Sequence, residues 1–246
     1  MRSLILSDIH GNMPALEAVA TDAAGAYDDV ICLGDIVGYG ADPNEVTHWV
    51  RDHATHVIRG NHDRACTGDA AIDDFSDLAY HAALWTRRRL DAASCEYLKN
   101  LPQGPCAVNG FHFAHGSPRD EDEYIFSRQD AANQYGAMPG EVCFIGHTHV
   151  QGGFSLRKGR VWIIERPAEN ETETVLEIEP DTWYLLNPGS VGQPRDGDPR
   201  AAYAIHDSER RTVRFRRVPY DTEAAQGRIL AAGLPPFLAA RLAAGR

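Results

Sequence analysis

Through its first half the chain repeats one pattern: a short apolar run, a polar turn, then apolar positions at helical spacing. The runs are Leu4-Ile5-Leu6, Val30-Ile31-Cys32-Leu33, His56-Val57-Ile58-Arg59, Phe111-His112-Phe113-Ala114 and Val142-Cys143-Phe144-Ile145. Helical stretches follow at residues 14–24 and 43–53, the first with Asn12 as N-cap and Pro14 in its first turn. Strand and helix in alternation predict βαβ units and an α/β core. Residues 70–101 read as mostly helical, with Leu78, Ala82 and Trp85 spaced along one face. Beyond residue 150 the pattern changes. Residues 153–160 predict a hairpin, and residues 161–164, 175–178, 183–186, 202–205 and 213–218 predict strands of a second, more antiparallel sheet. The chain then returns to helix, in two short pieces separated by Pro235-Pro236.

At 246 residues, 43% hydrophobic and 24% charged, the chain has the make-up of a folded globular protein. Its first apolar run is stopped at once by Asp8, too soon for a signal peptide, and no later run approaches the length of a membrane span. A cytoplasmic protein with no membrane partner is expected. Five cysteines with no CxxC pair argue against a disulfide framework or a zinc finger. The net charge of −11 argues against broad nucleic-acid binding, because phosphate backbones are held by clustered Lys and Arg. An acidic chain can still process small phosphates if a metal supplies the positive charge.

Five segments set metal-capable residues directly after predicted strands: Ser7-Asp8-Ile9-His10-Gly11-Asn12, Gly34-Asp35, Gly60-Asn61-His62-Asp63, His115-Gly116 and Gly146-His147-Thr148-His149. Ligands of open α/β sheets bind beyond the carboxyl ends of the strands. The five turns are therefore expected to converge on one edge of one sheet. Taken singly, Asp8 or Asn61 would be an ordinary turn residue; the number and placing of the segments favour ligation. Three oxygen donors (Asp8, Asp35, Asn61) and four imidazoles (His10, His115, His147, His149) suit manganese first, with iron or zinc as alternatives. They suit calcium or magnesium poorly. Seven donors are too many for one tetrahedral ion and fit two divalent ions sharing a carboxylate, an arrangement that clamps a phosphoryl group.

The motifs DxH, GD, GNHD, H and GHTH, in this order, resemble those of the calcineurin-like metallophosphoesterase superfamily. The resemblance covers at least residues 1–195, and Asn187-Pro188-Gly189-Ser190-Val191-Gly192 is similar to its small bacterial phosphodiesterase-like members. It implies a single domain over residues 1–246, an α/β fold of two mixed β-sheets packed as a sandwich and flanked by helices. It implies that Asp8, His10 and His149 hold one metal, that Asn61, His115 and His147 hold the other, and that Asp35 bridges them. His62 would be the catalytic acid, protonating the leaving alkoxide while a metal-bridging hydroxide attacks phosphorus in line.

Two departures from the family pattern narrow the substrate. Protein serine/threonine phosphatases and symmetrical diadenosine tetraphosphatases carry an Asp-Arg pair in GDxVDRG, where this chain has Gly38 and Tyr39. An Arg there would clamp a dianionic monoester bidentately. Its absence, and the room expected beside the small Gly38, point to small phosphodiesters, cyclic nucleotides among them. Phosphomonoesters, phosphoproteins and dinucleoside polyphosphates are the alternative substrates. A non-catalytic scaffold is disfavoured because all seven ligands and His62 are present. The missing Asp also deprives His62 of an orienting partner, a role expected to pass to Asp63 or a backbone carbonyl. Asn12, Tyr39 and Arg195 are candidate substrate contacts, although Asn12 reads first as a helix cap and Arg195, like Arg119, as a solvated loop arginine. Segments 65–77 and 118–128 are expected to shape the pocket mouth.

Overall fold

The computed structural model of the chain describes residues 1–73 and 75–246. Its first half runs β1 (Arg2–Leu6), α1 (Met13–Asp22), β2 (Asp29–Cys32), α2 (Pro43–His53), β3 (His56–Val57), α3 (Asn61–Thr67), α4 (Asp77–Arg89) and α5 (Ala92–Lys99). Then come β4 (Cys106–Val108), β5 (Phe111–Phe113), α6 (Arg128–Gln134) and β6 (Val142–Phe144). The rest is β7 (Gly152–Arg157), β8 (Arg160–Ile164), β9 (Glu173–Glu177), β10 (Trp183–Asn187), β11 (Ala201–Asp207), β12 (Thr212–Val218), α7 (Thr222–Ala231) and α8 (Pro236–Ala244).

The strands form two mixed six-stranded sheets, in the orders β3-β2-β1-β11-β12-β9 and β4-β5-β6-β10-β7-β8. In the first, β1, β2 and β3 are parallel and β11 joins β1 antiparallel. In the second, β5, β6 and β10 are parallel, with antiparallel neighbours at both ends. Residues 175–178, 202–205 and 213–218 therefore do not build a separate antiparallel sheet as the sequence suggested. They extend the first sheet, while β5 and β6 lie in the second. Alternation of apolar residues marks a strand but carries no record of its partner.

The core lies in three layers of contact. Between the sheets, Ile5, Ile31, Phe111, Phe113, Phe144, Leu186 and Phe215 pack together. On the outer face of the first sheet, Leu4, Leu6, Val30 and Cys32 meet Leu16 and Val19 of α1 and Val46 and Val50 of α2. On the outer face of the second, Cys143 and Leu185 pack with Ala114, Ile125 and Ile145. Side chains alternate across a strand, so β1 sends Ile5 inward and Leu4 and Leu6 outward, and all three are fully buried. That is why its sequence reads as an unbroken apolar run rather than an alternation.

Asn12 caps α1, its side chain accepting the Ala15 N–H at 3.2 Å. Over residues 70–101 the helices are α4 and α5. Leu78, Ala82 and Trp85 share one cluster with α7 and α8, and Asp74 lies outside the described residues. Among those residues no helix is long and apolar enough to cross a membrane.

Phe144 is fully buried between the sheets. Phe144→Ala is expected to cost about 3–5 kcal/mol, read as a lower urea midpoint with an unchanged slope. A loss below about 1 kcal/mol would mean that the sheets do not depend on this shared core.

Candidate metal centre

All five motif turns meet at one end of the sandwich. They do not share one sheet, as the sequence reading expected. Asp8 and His10 follow β1, Asp35 follows β2, and Asn61 and His62 open α3 beyond β3, all on the first sheet. His115 follows β5, and His147 and His149 follow β6, on the second. The site sits where the carboxyl ends of both parallel sets come together, because the sheets pack face to face with those ends aligned.

The turns are laced to one another by backbone hydrogen bonds. Asp8 N–H donates to Gly34 O at 3.1 Å, His10 N–H to Asp35 O at 3.0 Å and Gly146 N–H to His115 O at 2.7 Å. The Asn187–Gly192 segment acts as a buckle between the sheets. Asn187 Nδ2 donates to Gly146 O at 2.8 Å, and Ser190 Oγ donates to Asp8 O at 2.7 Å. This tension shows in the backbone: Asp8, His10, Asp35, Tyr39, His147 and His149 all have φ between 49° and 65°. Left-handed backbone costs a non-glycine residue about 1–2 kcal/mol, and such strain gathers at functional sites.

Each candidate imidazole ligand is fixed through one ring nitrogen. His10 Nδ1 lies 3.1 Å from Val37 O, His115 Nδ1 2.8 Å from Leu33 O and His149 Nδ1 2.6 Å from Gln193 O. In His147 it is Nε2 that faces a carbonyl, that of Asp122 at 3.1 Å. A carbonyl only accepts, so the nitrogen facing it carries the hydrogen and the other presents a lone pair. His62 is different. Its Nδ1 is buried with no partner, and the ring is held by packing against Tyr39, His10 and Phe75, with centroids 4.4, 4.9 and 4.9 Å away.

The free donor atoms fall into two groups, Asp8, His10, Asp35 and His149 in one and Asp35, His115 and His147 in the other, each within 4.8 Å across. Asp35 belongs to both. Its Oδ2 lies 3.6 Å from His10 Nε2 and 3.5 Å from His115 Nε2, while Oδ1 accepts the His62 N–H at 2.8 Å. A side chain at Gly60 would run into this carboxylate. Asn61 Oδ1 stands 3.2 Å from His115 Nε2, beside the second group.

These residues fit a cation. His10 Nε2 and His149 Nε2 face each other at 3.1 Å, yet both Nδ1 atoms hold the hydrogens, so two lone pairs oppose each other unless positive charge lies between them. Donors on one ion with bonds of about 2.1 Å sit roughly 3–3.5 Å apart, which is the spacing seen. Burial holds His10 and His149 well below the ordinary imidazole pKa and takes His147 to about 3, keeping them neutral as ligation requires. Burial raises Asp8 to about 7. It opposes protonation of His115 too, but the Asp35 charge and hydrogen bond outweigh it and lift His115 to about 10. The buried carboxylate demands a cation nearby.

Residues 1–211 match the calcineurin-like phosphoesterase superfamily domain. The chain belongs to that superfamily. Over 259 aligned positions it is 34% identical to an uncharacterized protein of Methanocaldococcus jannaschii, covering 98% of this chain and 97% of that one. It is similar to the crystal structure of a metallophosphoesterase from Sphaerobacter thermophilus, with a TM-score of 0.88 and 42% identity over 100% of this chain and 99% of the other. A hypothetical protein from Pyrococcus horikoshii OT3 shares the fold, with a TM-score of 0.77 and 22% identity over 100% and 98% of the two chains. The phosphoesterases of this superfamily depend on metal ions, and the clustered His and Asp side chains are where this member could hold them.

Above the cluster opens a pocket of about 600 Å³, lined by Asn61, His62 and His147 at its floor and by Tyr39, Phe75, Tyr124 and Arg195 on its walls. Both expected mouth segments contribute, Ala70, Ala71, Phe75 and Ser76 from one and Asp122 and Tyr124 from the other. Asn12 is not among the lining residues. Its Oδ1 is spent on the α1 cap and its Nδ2 donates to Gly192 O at 2.8 Å, so it is a structural residue. Arg195 does line the pocket and is not a solvated loop residue; exposed Arg119 lies outside it. Asp63 does not orient His62. Its oxygens accept the N–H groups of Gly60, Ile36 and Val37, which fixes the loop instead. Nor does Gly38 make room for substrate: a Cβ there would lie 2.6 Å from His62 Nδ1, at a φ of +91°. The space belongs to the His62 ring. Arg241 and the Tyr124 ring, stacked on His147 with centroids 3.8 Å apart, were missed. Neither lies in a motif; Tyr124 falls in an expected mouth segment, whereas no local signal marks Arg241.

Manganese at a hundredfold excess over its dissociation constant stabilises a binding fold by about 2.7 kcal/mol, or roughly 5–10 °C in a chain of this size. We expect that rise in melting temperature for the native chain and its loss in Asp35→Asn. An equal rise in both would show that the ion binds elsewhere.

Proposed function

We propose that the chain is a two-metal phosphodiesterase acting on small diesters, cyclic nucleotides among them. One observation carries the reading: a single oxygen, Asp35 Oδ2, faces a histidine from each donor group. Asp8, His10 and His149 would hold one ion, Asn61, His115 and His147 the other, and Asp35 both, with manganese ahead of iron or zinc. When bound, the pair supplies charge to hold a phosphate and makes a water nucleophilic at neutral pH.

The remaining chemistry falls to side chains. His62 lines the pocket floor and is the one imidazole of the cluster without a carbonyl partner. Burial lowers its pKa to about 4, opposed by Asp35. An anionic phosphate beside the ring favours its imidazolium, which then donates its proton to the leaving oxygen. Tyr39 and Phe75 keep the ring in place and exclude water from its Nδ1 side. Support for a diester comes from the pocket volume of about 600 Å³, ample for a second ester group, and from Tyr39 standing where the resemblance places Arg in protein serine/threonine phosphatases and symmetrical diadenosine tetraphosphatases. Arg195 in the wall is the observation that favours a monoesterase as the second reading.

Bis-(p-nitrophenyl) phosphate is expected to show a higher kcat/KM than p-nitrophenyl phosphate at equal manganese and pH. A tenfold preference for the monoester, about 1.4 kcal/mol of transition-state discrimination, would hand the assignment to the monoesterase reading. Cyclic nucleotides and dinucleoside polyphosphates complete the panel.

His62→Ala should cost about 10²–10⁴-fold on alkyl diesters and clearly less on p-nitrophenyl esters, whose leaving group departs without a proton. Gly38→Ala, which displaces the same ring, should share that signature. Equal losses on both leaving groups together with lost metal would make His62 a ligand rather than an acid.

A further inference from the structure

The partly buried Arg59, Arg64, Arg166, Arg200 and Arg216 each pair with a carboxylate. Arg195 and Arg241 are placed differently. Both are partly buried in the pocket wall, and among the described residues neither pairs with an Asp or Glu side chain. Arg195 gives one N–H to Gln193 Oε1 at 3.1 Å, and its Nε is buried without any partner. Arg241 gives Nε to a main-chain oxygen of Arg246, the last residue, and keeps its terminal nitrogens for the pocket side. Their guanidinium carbons lie 5.6 and 5.9 Å from the centre of the Tyr39 ring. Two part-buried like charges that line one pocket disfavour each other and are relieved by an anion bound there.

The fold maintains the pair by different means. The backbone N–H of Arg195 donates to His149 O at 3.2 Å, tying it to the metal-centre turns. Arg241 arrives on α8, whose Leu238, Ala239 and Leu242 pack with Tyr39, Ala79 and Ile229. That helix lies beyond residues 1–211, the part that carries the superfamily match. Burial and then Arg195 lower the pKa of Arg241, as expected where one cation faces another. Tyr39 in turn touches His62 and His10, with centroids 4.4 and 4.8 Å away. Arg241 is therefore set back from the reacting end of the pocket.

We propose that Arg195 and Arg241, gathered on Tyr39, form a subsite for a second phosphate, so that preferred substrates carry one phosphate group besides the ester that is cleaved. Planar guanidiniums bind phosphate oxygens in forked pairs, and the pocket is large enough for both groups. The identity of the bond cut rests on the phosphodiesterase reading above; the subsite is tested separately.

The test compares thymidine 5′-phosphate with thymidine 3′,5′-bisphosphate as inhibitors of whichever p-nitrophenyl ester turns over, so it stands even if the diester preference fails. In the native chain the bisphosphate should inhibit at least tenfold more tightly. Arg241→Gln should bring the ratio to within about twofold, and Arg241→Lys should restore part of it. Thermal melting checks that the variants remain folded. Equal inhibition by the two nucleotides in the native chain overturns the proposal, as does a ratio that Arg241→Gln leaves unchanged.

Discussion

The structure turns on a buried carboxylate. Asp35 is fully inside the protein, at the point where both sheets end, and an isolated charge there would cost several kcal/mol. The surroundings answer that cost in kind. One oxygen accepts the His62 N–H in the first turn of α3, and the other looks at imidazoles delivered by two different sheets. The glycine at position 60 exists because nothing larger fits between α3 and this carboxylate. Geometry that satisfies Asp35 is also geometry that could hold metal.

Holding that arrangement requires a rigid frame, since six site residues sit in left-handed backbone. The frame is the shared core. Phe111, Phe113 and Phe144 of one sheet interdigitate with Ile5, Ile31 and Phe215 of the other, and the Asn187–Gly192 buckle ties the Asp8 turn to the Gly146 turn. Strain at the strand ends is offset by burial behind them. The same division explains the imidazoles: carbonyl partners lock the four that present lone pairs, whereas His62, held only by packing, keeps both nitrogens uncommitted.

Around this fixed centre, the pocket walls are assembled largely from residues outside the donor set. The segment ahead of α4 brings Phe75, the loop after β5 brings Tyr124, the turn after β10 brings Arg195 and α8 brings Arg241. The donor cluster thus sits beneath a pocket whose walls come from several separate parts of the chain. The C-terminal helices close the molecule and also carry charge to the substrate side.

What the sequence determined by itself was local. Strand runs, the Asn12 cap, the Pro43 start of α2 and every member of the two donor groups were readable because each is a short pattern with its own chemical logic. Leu4-Ile5-Leu6 announces a strand covered on both faces, and His147-Thr148-His149 places two imidazoles in one turn. Partnership through space left no such trace. Whether residues 213–218 join the first sheet or a separate one, whether Gly38 yields space to substrate or to His62, and whether Asp63 orients a ring or staples a loop were settled only by tertiary packing. Arg241 is the extreme case, an arginine in an unremarkable terminal helix that becomes a pocket residue because Leu238 and Leu242 dock that helix on Tyr39. Periodicity and motifs record what a segment is; which surfaces meet is decided by the simultaneous burial of all of them.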